Sequence, residues 1–256
     1  MKILALGDVV GGEAIELLHQ KLWNVRRQHR IDFVIANGEN ATEIRGLCAR
    51  DAHKLLDCGI DVITLGNHAF GMRDIYPLLD STDRIVRPAN YPPEAPGCGY
   101  TIADANGYRA LCINVSGCAL LEPLASPFDT VDRILEREAG KFDFAILDIH
   151  AEATSEKLAM GYYFDGRISI MFGTHTHVPT ADERILPKGS GYITDLGMCG
   201  PKESIIGTDI KSVIRKFRTH LPTHFTVADG PVRAQGAIFD LDPDSGKVKS
   251  VTRIHF

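Results

Sequence analysis

The sequence predicts a mixed α/β (α+β) fold, built as a single domain over residues 1–256. Short apolar runs alternate with helical patterns through the first two thirds of the chain, which is typical of successive βα units. The last third is dominated by strand signals, so we expect an additional antiparallel component. No repeat, low-complexity tract or linker-like stretch divides the chain.

The N-terminal part contains three short apolar runs and two helical patterns. Strands are predicted over 2–6, 33–36 and 61–65. Gly11-Gly12 opens the first helix, and a second helix is predicted over 49–58. Four apolar residues after Gly12 recur at helical spacing and predict one buried face: Ile15, Leu18, Leu22 and Val25.

The middle of the chain begins with a Pro-rich passage at 88–96 and a hairpin around Asn106-Gly107, a dipeptide typical of tight hairpin turns. The hairpin strands are predicted over 100–103 and 108–115. Further predicted elements follow in order: helix 128–138, strand 143–149, helix 153–163, strand 168–172, strand 191–195, helix 208–218, and strands 224–228, 232–241 and 247–255.

Composition and the absence of long apolar runs argue against a basic nucleic-acid binder, a disulfide-rich protein, a secreted protein and a membrane protein. The formal net charge is −5, so no global basic field draws the chain to nucleic acid. The six cysteines contain no C-x-x-C pair, and we expect reduced, mostly buried thiols. The apolar run of residues 3–6 is too short for a signal peptide, and no stretch is long enough to span a membrane. A cytoplasmic protein without membrane contact is expected.

Polar residues of metal-binding types follow five predicted strands at the point where each strand ends. They are Asp8, Glu39, Asn40, Asn67, His150, His175 and His177. Each signal alone is modest, because an aspartate after a strand is often a helix cap and a single histidine is often a core residue. The carboxyl ends of strands meet at one edge of an open α/β sheet. The joint pattern therefore predicts a metal site there.

The ligand types constrain the metal. On an extended segment alternate side chains share a face, so both imidazoles of His175-Thr176-His177 are expected to point at one site. Three imidazoles, two carboxylates and two amides without thiolate suit iron or manganese, with zinc as an alternative. Seven ligands are too many for one tetrahedral ion. They suit two divalent or mixed-valence transition metal ions, the arrangement used for in-line displacement at phosphorus.

These motifs resemble the calcineurin-like metallophosphoesterases, and in particular the bacterial YmdB-type subgroup. The resemblance rests on GDVVG, ANGENA, TLGNH, HAEATSEK, GTHTHVPTAD and TDLGM, which span residues 7–198. It implies a four-layer αββα sandwich. It also implies hydrolysis of phosphodiesters, notably 2′,3′-cyclic nucleotides.

The resemblance also assigns ligands. It implies that one metal is held by Asp8, Asn40 and His177, that the other is held by Asn67, His150 and His175, and that Glu39 bridges the two. The broad family usually has Asp-x-His in its first motif, but Val10 stands at that histidine position here. The family also usually bridges with aspartate, where this chain has Glu39.

His68 follows the ligand Asn67 directly, so we expect it to face the substrate. A hydroxide between the metals would attack phosphorus, and His68 would act as the general acid that protonates the leaving oxygen, since imidazoles titrate near neutrality. Lys157 and Arg45 are weaker candidates for contact with the substrate, and we expect both to be exposed cations.

Other functions stay open at this stage. A regulatory protein that binds nucleotide or RNA with slow or no turnover has the same site residues, and so does a phosphomonoesterase. A metal-dependent amidohydrolase is disfavoured, because that class carries its His-x-His on the first strand. The physiological substrate, the native metal and assembly into a homo-oligomer also stay open.

Overall fold

Two six-stranded sheets form the centre of the structure, a computed structural model that describes residues 1–256. The strands are β1 Lys2–Leu6, β2 Asp8–Val9, β3 Phe33–Asn37, β4 Val62–Thr64, β5 Ile85–Val86, β6 Tyr100–Ala105, β7 Tyr108–Ser116, β8 Phe144–His150, β9 Ile170–Thr174, β10 Arg184–Ile185, β11 Gly191–Ile193, β12 Met198–Pro201, β13 Val232–Arg233, β14 Gln235–Asp242 and β15 Lys247–His255. The helices are α1 Gly12–His29, α2 Ala49–Asp57, α3 Tyr76–Ser81, α4 Pro127–Arg137, α5 Thr154–Phe164 and α6 Ile210–Thr219, with a short 3-10 turn at Arg73–Ile75.

The first sheet has the order β15-β14-β1-β3-β4-β5, and the second has the order β10-β11-β9-β8-β7-β6. The parallel strands are β1, β3, β4 and β5 in the first sheet, where β5 lies at the edge, and β7, β8, β9 and β11 in the second. Antiparallel strands β14 and β15 extend the first sheet on one side, and β10 and β6 flank the second on both sides. A small sheet, β13-β12-β2, pairs Asp8 with Met198. This arrangement confirms the predicted mixed α/β class with an antiparallel component.

Alternation along the strands explains the layers. In β1, Leu4 and Leu6 pack with the buried faces of α1, α2 and α3, whereas Ile3 and Ala5 pack against residues of the second sheet. The far face of the second sheet packs on α4 and α5, for example through Leu147. Because successive strand residues point to opposite faces, one sheet can serve two cores. The layers are therefore helix, sheet, sheet and helix, as the family resemblance implies.

Local sequence signals explain several element ends. Asn106 and Gly107 both have positive φ, 54° and 89°, as the predicted hairpin turn requires. Ser126 caps α4 by accepting a hydrogen bond from the Asp129 N–H, and Asp209 caps α6 in the same way. No helix is both long and apolar enough to cross a membrane.

The predicted strand over 224–228 is wrong. In that segment only Val227 makes a bridge, to Thr208, and the chain lies beside the loop before α6 without a regular ladder. The predicted strand over 232–241 is divided at Ala234 into β13 and β14. Helix α3 and strand β5 lie where the sequence predicted no regular element.

Candidate metal centre

The seven predicted ligands lie together where the parallel strands of both sheets end. Asp8 begins β2 directly after β1, Glu39 and Asn40 follow β3, and Asn67 follows β4. From the second sheet, His150 closes β8, and His175 and His177 follow β9. The site therefore bridges the ends of the two packed sheets, and its polar core is almost wholly buried.

The first donor group consists of Asn67, His150 and His175. The donor atoms of Asn67 and His175 lie close to Nε2 of His150. This nitrogen lies 2.9 Å from Asn67 Oδ1 and 3.1 Å from His175 Nδ1. Oε1 of Glu39 lies 3.2 Å from the same nitrogen. The ligand atoms of Glu39, His150 and His175 all lie within 4.8 Å of one another. An amide oxygen, a carboxylate and two imidazoles thus converge on a volume that could hold one cation.

A second donor group is formed by Asp8, Asn40 and His177. His177 Nε2 lies 3.5 Å from Asp8 Oδ1 and 3.2 Å from Asn40 Nδ2. The Oδ1 atom of Asp8 is buried and has no hydrogen-bond partner. An unpaired buried carboxylate oxygen is costly, so a positively charged group beside this atom would stabilise it. The donor types and this orphaned oxygen fit a metal ion.

Glu39 lies between the two donor groups. Its Oε1 atom, close to His150 as noted, also accepts a hydrogen bond of 3.2 Å from Asn40 Nδ2, and its Oε2 atom accepts one of 2.9 Å from the backbone N–H of His68. Burial opposes ionisation of Glu39, but the neighbouring imidazoles of His150 and His68 outweigh it, so the pKa of Glu39 lies well below its usual value.

The electrostatics of the second donor group favour positive charge. Burial disfavours the protonated form of His177, but the facing Asp8 carboxylate outweighs this and raises the pKa of His177 to about 9. In the first group, by contrast, burial and the neighbouring His150 lower the pKa of His175 to about 4. The neutral imidazole is the form that binds metals.

Each imidazole is oriented by a partner on its outer nitrogen. His150 Nδ1 lies 2.9 Å from Thr174 Oγ1, which donates a hydrogen bond of 2.7 Å to the buried carboxylate of Asp148. His175 Nε2 lies 3.1 Å from Glu152 Oε2. His177 Nδ1 donates to the backbone carbonyl of Ile206 at 2.9 Å. These outer partners leave His150 Nε2, His175 Nδ1 and His177 Nε2 to face the centre.

Sequence reasoning missed these outer partners. Asp148 lies two residues before His150 on β8, and the two-residue period of a strand places both on one face. Glu152 lies two residues after His150, within HAEATSEK. Both could have been found as carboxylates adjacent to a predicted metal ligand.

Position 66 requires glycine because the side chains of the metal centre lie very close to its backbone. A Cβ atom at this position would lie 2.2 Å from His150 Nε2 and 2.4 Å from Glu39 Oε2. Any side chain here would enter the space between the donors. The glycine before Asn67 therefore makes room for the site as well as for a turn.

His68 lies at the rim, with 29% of its side chain exposed. Its Nδ1 atom lies 3.1 Å from Asn40 Oδ1 and 3.3 Å from Glu39 Oε1. Its Nε2 atom is left to meet a ligand that approaches from solvent. His175, with 17% exposed, and the half-exposed Glu152 open on the solvent as well, whereas Asp8 and His150 are fully buried.

Two expectations about this region are wrong. The segment that carries His175 and His177 is not extended, because these residues have φ of 92° and 62°. Lys157 is not an exposed cation but a fully buried one, paired with Asp195. Arg45 is exposed in the loop after Asn40. Val10 packs against Gly200 and Gly207 instead of entering the site.

Known proteins resemble the whole chain. A family model described as YmdB-like protein matches residues 4–254. A 2′,3′-cyclic-nucleotide 2′-phosphodiesterase of Bacillus subtilis (strain 168) is 43% identical over 254 residues, which cover 99% of this chain and 96% of that protein.

Solved structures also resemble the chain over its whole length. A hypothetical protein from Thermus thermophilus superposes with a TM-score of 0.94 at 39% identity, covering 100% of this chain and 99% of that one. A structure described as a novel phosphatase from Mycoplasma pneumoniae also gives a TM-score of 0.94, at 34% identity, covering 100% of this chain and 93% of that one.

Proposed function

The chain belongs to the YmdB-like protein family, and on that premise we propose that it is a dinuclear-metal phosphodiesterase acting on phosphodiesters such as 2′,3′-cyclic nucleotides. The predicted enzyme class, a phosphodiesterase, is confirmed by the relative from Bacillus subtilis. The observation that carries the two-metal proposal is the position of Glu39. Its Oε1 atom lies 3.2 Å from His150 of the first donor group and 3.2 Å from Asn40 of the second.

In this proposal one ion is held by Asp8, Asn40 and His177, the other by Asn67, His150 and His175, and Glu39 is shared. Asn40 would bind through its oxygen, so its amide would turn to bring Oδ1 beside His177 and Nδ2 beside His68. Iron or manganese suits these donors, with zinc as an alternative. Two such ions supply Lewis acidity to phosphoryl oxygens and lower the pKa of bound water.

The residues of the chain set the charge and the direction of approach. Only two carboxylates, Asp8 and Glu39, lie among the seven donors, so the loaded site is net positive and attracts a phosphate group. Because His68 and His175 form the solvent-facing side, the substrate enters there. His68 Nε2 then lies at the rim to protonate the leaving oxygen.

A phosphomonoesterase is the second candidate, because the similar structure from Mycoplasma pneumoniae is described as a phosphatase. The two activities differ in the charge of the substrate, since a diester carries one negative charge and a monoester dianion carries two. Lys157 is buried in an ion pair, which removes one of the two cations expected to contact substrate. That loss favours the diester.

A substrate panel combined with metal analysis tests the proposal. Protein purified without chelator is assayed on 2′,3′-cyclic nucleotides, linear diesters and monoesters, and its transition metals are counted. We expect close to two equivalents of metal and faster turnover of diesters. Full activity with a single equivalent contradicts the dinuclear centre, and faster turnover of monoesters indicates a phosphomonoesterase. Ligand binding without turnover indicates a regulatory binding protein.

A further inference from the structure

A fully buried ion pair lies beneath the loop that carries His175 and His177. Lys157 of α5 and Asp195, which follows β11, are both inaccessible to solvent, and Nζ lies 2.8 Å from Oδ2. The lysine stem runs past Gly173, where a Cβ atom would lie 2.7 Å from Lys157 Cδ. Strand β9 is thus shaped to admit this side chain.

The pair holds the loop on both sides of His175. Lys157 Nζ donates a hydrogen bond of 2.7 Å to the backbone carbonyl of Thr174. Asp195 Oδ2 accepts hydrogen bonds from the Thr176 hydroxyl at 2.7 Å and from the Thr176 N–H at 3.3 Å. Asp195 Oδ1 accepts a bond of 2.8 Å from the N–H of Gly197. The residues before and after His175 are therefore both fixed to one rigid group.

The loop needs such restraint because its backbone is unusual. His175 and His177 have φ of 92° and 62°, a region that residues other than glycine rarely adopt. A strained backbone persists only where its surroundings fix it. In this conformation His175 Nδ1 lies 3.1 Å from His150 Nε2, and His177 Nε2 lies 3.5 Å from Asp8 Oδ1. A relaxed loop would turn both nitrogens away.

We propose that Lys157 and Asp195 are a positioning pair that holds the His175–His177 loop in its metal-binding conformation. This inference rests on the proposed function, since it assumes that these imidazoles bind metal. Stability alone is a poor explanation of the pair, because well-packed apolar residues often replace a buried ion pair without loss of stability. Apolar residues cannot donate to Thr174 or accept from Thr176.

The test separates loop position from folding. In K157M/D195L both charges are removed together, so no unpaired charge is left in the core. We expect a folded protein whose affinity for Mn²⁺, measured by titration calorimetry, is about 10–100-fold weaker, the usual effect of losing an outer partner of a metal ligand. K157M/D195N keeps an amide oxygen for Thr176, so its loss should be smaller and still at least severalfold. If K157M/D195L fails to fold, K157M/D195N provides the test of the positioning role.

Arg26 and Asp61 provide a control pair that is less buried, with 14% and 31% of the side chains exposed. Their ion pair of 3.1 Å also binds a backbone carbonyl, that of Gly59, and accepts a backbone N–H, that of Val34. It lies at the opposite ends of the strands from the site. R26M/D61L should leave Mn²⁺ affinity unchanged. Wild-type Mn²⁺ affinity in K157M/D195L overturns the positioning role alone. Failure of the wild-type protein to bind Mn²⁺, Fe²⁺ or Zn²⁺ overturns the proposed function, and this inference with it.

Discussion

Oε1 of Glu39 lies 3.2 Å from Nε2 of His150, and both side chains are almost completely buried. A carboxylate so placed neutralises charge at the centre of the site and can be shared by two ions. Its neighbour in sequence, Asn40, has side-chain contacts with Glu39, His177 and His68 and none with the first donor group. The two adjacent residues should therefore differ in their importance.

Glu39→Gln should reduce activity and metal content more than Asn40→Ala. The amide of glutamine keeps the shape of the side chain but removes the charge that both ions would share in the proposed centre. We expect a loss of activity beyond about 100-fold, the upper end for outer partners of metal ligands, with both metals lost on elemental analysis. Asn40→Ala should retain the metal of the first donor group. Equal and mild losses in the two variants would refute the bridging role.

Gly66→Ala should strongly weaken metal binding. The added methyl group would lie 2.2 Å from His150 Nε2, and forcing extra atoms into such a site typically costs about 1–3 kcal/mol. Gly12→Ala is the control, because a Cβ atom at the first residue of α1 meets nothing within 4 Å. That variant should keep its metals, its activity and its melting temperature. Normal metal content in Gly66→Ala would show that the donors can move apart freely.

Thr174→Val should weaken metal binding while the protein stays folded. Valine matches threonine in shape but cannot connect His150 Nδ1 to the Asp148 carboxylate. The imidazole then loses the partner that orients it, and a fall of about 10–100-fold in Mn²⁺ affinity is expected. Thr101→Val, a nearly buried position on β6 in the same sheet, is the control and should bind Mn²⁺ normally. Unchanged affinity in Thr174→Val would mean that packing alone orients His150.

Much of the site followed from the sequence because strand ends are easily recognised. Apolar runs locate β1, β3 and β4 in the first sheet and β8 and β9 in the second. Within each sheet the parallel strands end at one edge, so the residues after them lie together, and the packing of the two sheets brings the two edges into contact. The incorrect predictions concern strand pairing and burial, which hydrophobic periodicity alone does not reveal. The segment 224–228 has strand propensity but no neighbouring strand to pair with. Lys157 resembles a surface cation until the space beside Gly173 and the partner Asp195 are known.

His68→Ala should lower kcat and leave the metal content intact. The imidazole of His68 contacts Asn40 and Glu39 through Nδ1, and in the proposed mechanism its partly exposed ring leaves Nε2 free for the substrate. General acid catalysis contributes about 10²–10⁴-fold, so a loss of that size is expected for an alkoxide leaving group, such as the ribose oxygen of a cyclic nucleotide. A nitrophenolate needs little protonation, and with it the loss should shrink. Parallel assays of the variant on 2′,3′-cyclic AMP and bis-nitrophenyl phosphate measure this contrast. Equal losses on both substrates, with metals retained, would mean that His68 positions the phosphate and does not donate the proton.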